Sequence, residues 1–112
     1  MGDSGKFGQE IHEITIFSKA ISNPARLAIL KYLAQAKNCI SGDISDYIPL
    51  SRTTVSQHLK VLRDSGLIKG EIDGPRINYC INGKRVEEYL KLTEEFFSGV
   101  RATGVECKDC SD

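Results

Sequence analysis

No run of apolar residues in this 112-residue chain exceeds the four from Leu27 to Leu30, against roughly 20 needed to cross a bilayer. No membrane span is expected. Met1 to Glu10 is polar and Gly-rich and lacks the apolar stretch of an export signal. Lys6 breaks the myristoylation pattern that Gly2 would open. The expected location is the cytoplasm. Net charge is absent as well, with 15 basic residues against 15 acidic ones, so the overall balance argues neither for nor against nucleic acid. Internal repeats and low-complexity tracts are missing. Cysteine is limited to four residues, and without an export signal these are expected as thiols rather than as a disulfide framework. The chain is also short. It holds one domain's worth of residues, with little material left to wall off a deep cleft, and an enzyme is not expected.

What is present is ordinary globular material, 40% apolar and 27% charged, with its apolar residues at helical spacing. In Gln9 to Ile21 the residues Ile11, Ile14, Phe17 and Ile21 form a stripe that Ile16 and Ala20 widen beyond one face. Ser22-Asn23-Pro24 ends that helix and starts another over about Pro24 to Ala36, which is expected to bury Leu27, Leu30 and Leu33 with help from Ile29. Ser41 is placed to cap a short helix through about Tyr47, limited by Pro49. Ser51 caps a strongly patterned helix from Arg52 to about Ser65, with Gly66 as its left-handed stop. Two alternating segments, Leu67 to Asp73 and Arg76 to Asn82, flank Asp73-Gly74-Pro75 and predict a β-hairpin. A last helix over about Val86 to Ser98 carries Val86, Tyr89, Leu90, Phe96 and Phe97 on one side. The fold expected is mainly α with a small β-hairpin wing, a winged helix-turn-helix of order ααααββα. In domain terms, residues 1–8 are expected as a flexible N-terminus, 9–98 as the winged helix-turn-helix domain, and 99–112 as a cysteine-containing tail.

The chemistry concentrates on the helix from Arg52 to Ser65. Val55, Leu59 and Leu62 cluster at one pole, while Thr53, Ser56, Gln57 and Lys60 point away. Small hydroxyls, one amide and cations suit the major groove, where Gln pairs with adenine and Lys or Arg meets guanine or phosphate. A merely solvated face would carry a Glu/Lys mixture, and none appears before Asp64. Charge supports the same reading. Ser51 to Arg85 holds seven basic residues, including Arg52 and Arg63, against three acidic ones, and Val86 to Asp112 holds three against seven. Arg76 at the hairpin tip is placed for an adjacent phosphate or minor groove, or equally as a solvated turn residue. For His58, at the edge of the apolar pole, partial burial or a phosphate contact is favoured over metal ligation.

Two strings then carry a resemblance. Ile21-Ser22-Asn23-Pro24-Ala25-Arg26-Leu27-Ala28-Ile29-Leu30 and Leu50-Ser51-Arg52-Thr53-Thr54-Val55-Ser56-Gln57-His58-Leu59-Lys60-Val61-Leu62-Arg63-Asp64-Ser65-Gly66-Leu67-Ile68 resemble the arsenic-repressor (ArsR/SmtB) family of bacterial winged-helix regulators. The likeness runs from about Phe17 to Phe97. It implies a homodimer joined through its first and last helices, bound to double-stranded operator DNA as a repressor and released by an inducer. Carried over by position, Thr53, Ser56, Gln57, His58 and Lys60 would face DNA, with Arg76 in the wing.

The effector must be argued from this chain's own residues. One family site uses His and carboxylates on paired last helices, and Val86 to Ser98 contains no His. Another uses a Cys-x-Cys at the start of the helix-turn-helix; here Cys39 keeps the first thiol and Ser41 replaces the second. Cys107 and Cys110 in the tail form a Cys-x-x-Cys that, with Cys39, would supply three thiolates to a soft ion. Three sulfurs suit arsenite, As(III), which the resemblance says takes a thiolate pyramid. Cadmium, lead, zinc or thiol oxidation are the alternatives. Cys39 is also expected just before a helix N-terminus, where the dipole favours thiolate. Cys80 is read as a bystander. Two other classes stand beside the repressor. A thiol oxidoreductase using Cys107 and Cys110 lacks the strand-helix context such motifs open, and a winged helix for protein contacts alone does not account for the hydroxyl-rich face.

Overall fold

The computed structural model of the chain describes residues 7–36, 40, 41, 44, 47–71 and 78–102. Helix α1 (Gln9–Ala20) starts after Gly8 and turns at Ile21, whose N–H donates back to the Phe17 carbonyl at 3.1 Å. Helix α2 (Pro24–Ala36) is started by Asn23, whose Oδ1 accepts from the Ala25 and Arg26 N–H groups at 2.8 and 3.3 Å. That side-chain cap satisfies donors that the first helical turn leaves orphaned, and Pro24 at the first position has no N–H to lose. Strand β1 (Ile40–Ser41) follows.

Helix α3 (Arg52–Asp64) is defined at both ends by the residues its sequence singles out. Ser51 Oγ accepts from Thr54 N–H at 3.2 Å. At the other end Gly66, at φ +88°, lets its own N–H reach the Arg63 carbonyl (2.9 Å) and the Leu67 N–H reach the Leu62 carbonyl (3.0 Å). This paired closure is the Schellman arrangement that a left-handed residue makes possible. Strands β2 (Ile68–Glu71) and β3 (Asn78–Ile81) form the wing, with Lys69 opposite Cys80 and Gly70 opposite Tyr79. Helix α4 (Gly83–Ala102) closes the described chain.

The sheet is antiparallel in the order β1-β3-β2, so the hairpin gains a third strand through Ile40 opposite Tyr79 and Ser41 opposite Asn78. The core lies where α2, α3 and this sheet meet. Ile29, Leu33, Val55, Leu59, Leu62, Leu67, Ile68 and Tyr79 are buried there together with Ile44 and Ile48, and Tyr89 brings α4 onto the same cluster. Stacking of Phe17 on Tyr89, with ring centroids 4.9 Å apart, joins α1 to α4.

The winged helix-turn-helix is therefore present, with three corrections. Leu27 is 50% exposed rather than core, because Ile29 and Leu33 define the inward face of α2 and Leu27 falls off it. The last helix runs from Gly83 to Ala102, beyond the expected Val86 to Ser98 at both ends. Asn82 Oδ1 accepts from Arg85 N–H at 3.3 Å and starts it early, while Gly99 is carried inside it, a tolerable cost of about 1 kcal/mol against alanine. The strand Ile40–Ser41 was not anticipated. Cys39 and the two residues after Ser41, where the helix terminus beside that thiol is expected, lie outside the described residues. Most of the short helix expected through Tyr47 lies outside the described residues, although the Ile48 N–H donates to the Ile44 carbonyl at 3.2 Å, a single helical turn.

Candidate nucleic-acid interface

Helix α3 presents two chemically different sides because its apolar residues recur at 3.6 periodicity. Val55, Leu59 and Leu62 are buried, whereas Arg52, Thr53, Gln57 and Lys60 are exposed and Ser56 is half-buried beside them. These five residues share the outer face. Arg63 is half-buried and pairs with the exposed Asp64 at 3.8 Å. In the wing, Lys69 lies exposed on β2. Arg76 falls outside the described residues.

His58 is placed differently from its neighbours on the sequence string. It is half-buried, and its Nδ1 faces Nη1 of Arg26 at 3.2 Å. Burial, and then the charge of Arg26, hold its pKa below the usual histidine value of 6.5. The ring is neutral at physiological pH and turned partly inward toward α2.

A second polar junction grips the end of α3. Arg85 on α4 donates to Glu13 on α1, to Glu88 at 3.2 Å and to the Tyr89 hydroxyl at 3.1 Å, and its guanidinium lies 4.0 Å from the centre of the Tyr89 ring. The Tyr89 hydroxyl in turn donates to the carbonyl of Ser65, the residue that ends α3. A hydrogen bond from Gln9, and then the one from Arg85, hold the Glu13 carboxyl below its usual range. The bond to Glu13 likewise raises the pKa of Arg85. Sequence reading missed both junctions. Arg26 and Arg85 are single arginines among many, and nothing in their spacing announces partners 32 and 72 residues away.

The thiols give less. Cys39, Cys107 and Cys110 lie outside the described residues. Cys80 is half-buried on β3, on the strand face opposite the buried Tyr79. Among the described residues no group of three or more His, Cys, Asp or Glu side chains is placed to hold a metal ion. No helix among them is long and apolar enough to cross a membrane.

A capped amphipathic helix with a polar outer face, seated on a small core beside an antiparallel wing, defines a winged helix-turn-helix DNA-binding protein. Comparison with known proteins carries this further. Residues 23–69 match the family model described as bacterial regulatory protein, arsR family. The chain is 40% identical over 79 residues to the HTH-type transcriptional regulator YgaV of Escherichia coli, covering 70% of this chain and 80% of that one. It is 36% identical over 77 residues to an uncharacterized HTH-type transcriptional regulator of Methanocaldococcus jannaschii, covering 69% and 86%. A probable mercury resistance operon repressor of Streptomyces lividans is 28% identical over 76 residues, covering 68% and 60%. The chain belongs to the ArsR/SmtB family of helix-turn-helix transcriptional regulators.

Proposed function

We propose that this regulator is a homodimeric repressor that binds operator DNA through α3 and the wing and is released when a thiophilic effector, arsenic(III), binds Cys39, Cys107 and Cys110. The observation that carries the DNA half is the face of α3, where Arg52, Thr53, Ser56, Gln57 and Lys60 stand over the buried Val55, Leu59 and Leu62. Gln57 is suited to bidentate pairing with adenine, Lys60 and Arg52 to guanine or phosphate, and Arg63 and Arg76 to backbone phosphates on either side. The dimer reading is supported by the apolar side chains that α1 and α4 leave uncovered, among them Ile11, Leu90 and Phe97.

Support for the effector is chemical. Three thiolates match a soft trivalent centre better than they match zinc, which wants a fourth ligand. The mercury named for the Streptomyces lividans relative is also a thiophile, so another soft metal, cadmium or lead included, is the second reading. The decisive experiment follows the sulfur-to-arsenic ultraviolet absorption as the reduced protein is titrated with arsenite, beside Cys39→Ser, Cys107→Ser and Cys110→Ser. The expected result is saturation at one arsenic per subunit, lost in each variant, together with release of DNA. Release by arsenite that survives all three substitutions would refute the three-thiolate site.

A further inference from the structure

Arg26 lies in the first turn of α2, but its guanidinium serves the two helices on either side. Nε donates to the Ala20 carbonyl at 2.6 Å and Nη2 to the Lys19 carbonyl at 3.0 Å, both at the C-terminal end of α1. Nη1 faces Nδ1 of His58 on α3 at 3.2 Å. The first two bonds satisfy carbonyls that a helix end leaves without intrahelical partners. The third has a stricter consequence. A guanidinium is always protonated and has no acceptor, so the nitrogen it faces must supply the lone pair. Nδ1 of His58 is that nitrogen, and the single proton of the neutral ring sits on Nε2, at the opposite edge. Gln57 and Lys60, the exposed residues flanking His58 in sequence, belong to the face that meets DNA in the proposed function.

We propose that Arg26 is a positioning residue for DNA recognition: anchored on the end of α1, it holds the His58 ring with Nδ1 inward, so that Nε2–H is kept as a donor for an acceptor oxygen or nitrogen of the operator. The inference rests on α3 being the recognition helix. Protonation of His58 would remove the Nδ1 lone pair and set two cations face to face, and burial already disfavours the charged ring. Among the described residues Arg26 is the charged group acting on His58 from α2, and α1 contributes the carbonyls that hold Arg26 in place.

The test uses a 30-base-pair duplex recovered by the wild-type protein from a pool with a randomised centre, with affinity read by fluorescence anisotropy at fixed salt. The proteins are wild type, Arg26→Gln, His58→Phe, the double variant, and Gln57→Ala and Lys60→Ala as controls, each with a melting curve. The His58 ring is titrated by proton NMR in free wild type and in Arg26→Gln. The expected result is a His58 midpoint below 6.5 that rises in Arg26→Gln. Arg26→Gln and His58→Phe should each bind roughly tenfold more weakly, with the double variant no weaker than the worse single, as for two residues acting as one contact. A merely structural role predicts a lowered melting temperature, additive losses, and unchanged affinity in His58→Phe, and that pattern overturns the proposal. A His58 midpoint at the ordinary value and indifferent to Arg26→Gln overturns it too. If Gln57→Ala and Lys60→Ala weaken binding while His58→Phe does not, this inference alone falls. If none of the four single variants loses affinity, the recognition-helix reading falls with it.

Discussion

Gly70 carries the sharpest local constraint among the described residues. It sits at φ +126° in β2, and a Cβ built there would lie 2.0 Å from the Asn78 carbonyl oxygen and 2.8 Å from the Tyr79 Cα, both backbone atoms of the paired strand. Gly70→Ala must therefore break the ladder or displace β3. It should cost more than about 2 kcal/mol in a denaturant titration, combining a disallowed backbone with a steric clash. Gly66 at φ +88° would place its Cβ 3.0 Å from Cγ of Arg85, a side chain rather than backbone but one held by Glu13 and Tyr89, so Gly66→Ala should cost at least the left-handed penalty of about 1 kcal/mol. Protonation adds a pH signature with a defined sign. The His58 pKa is depressed in the folded state, so as pH falls below 6.5 the unfolded chain takes up a proton that the native state resists. Stability is then level above about pH 6.5 with respect to this group and declines below it. Comparing unfolding free energies at pH 7.5 and 5.5 should show a drop that is smaller in His58→Phe. An equal drop in the variant would assign it elsewhere. Glu13, held below 4.5, acts in a separate and more acid window, where its contribution is lost as pH falls through its folded pKa.

The elements differ in how openly the sequence declares them, and the difference has physical causes. Helix α3 was legible because cap, apolar period and glycine stop all agree within the sixteen residues from Ser51 to Gly66, and each is a local interaction. The caps at Asn23 and Asn82 are equally local; the helix start at the first was read from Pro24, without the cap itself, and nothing flags Asn82. Strand β1 is two residues long, and only its pairing with Tyr79 and Asn78, nearly forty positions away, makes it a strand. No periodicity can report that. Leu27 was misplaced because α2 is apolar on more than one side, so its burial depends on which side the rest of the chain covers. The polar outer face of α3 was legible as a set of residue types, and so was the partial burial of His58 at the edge of the apolar pole; its contact with Arg26 was not, because that partner comes from another helix. At this scale the outer face of α3 can be tested by substitution. Gln57→Ala should cost about 1–3 kcal/mol in operator affinity and relax the base preference at one position. Lys60→Ala should weaken binding across sequences and lower the slope of log K against log salt by about 1. Unchanged base preference in the first variant would remove Gln57 from direct readout.

At the scale of the molecule, α1 and α4 pack on each other and still leave apolar surface. Phe17, Glu13 and Arg85 make the shared seam, and Tyr89 turns inward from it to Ser65 at the end of α3. Leu90 and Phe97, seven positions apart on α4, lie on one helical stripe and are each about half exposed, as is Val100 one turn further on. A second copy covering this stripe would bury it through a two-fold contact, the commonest closed arrangement for a homo-oligomer. It would also set two recognition helices on one duplex, with half-sites about 34 Å apart. Sedimentation equilibrium should then give twice the 12.4 kDa chain mass for wild type. Leu90→Glu and Phe97→Glu should shift it to the single-chain mass with an unchanged far-ultraviolet helix signal, since both side chains lie outside the core. Operator affinity should fall by more than about tenfold in these variants although α3 is untouched, because the second half-site loses the effective concentration that tethering provides. A wild-type chain that sediments as a monomer and still binds a single half-site with full affinity would show that α1 and α4 serve something other than self-association. The seam through Arg85, Tyr89 and Ser65 would then hold α3 in place without any partner.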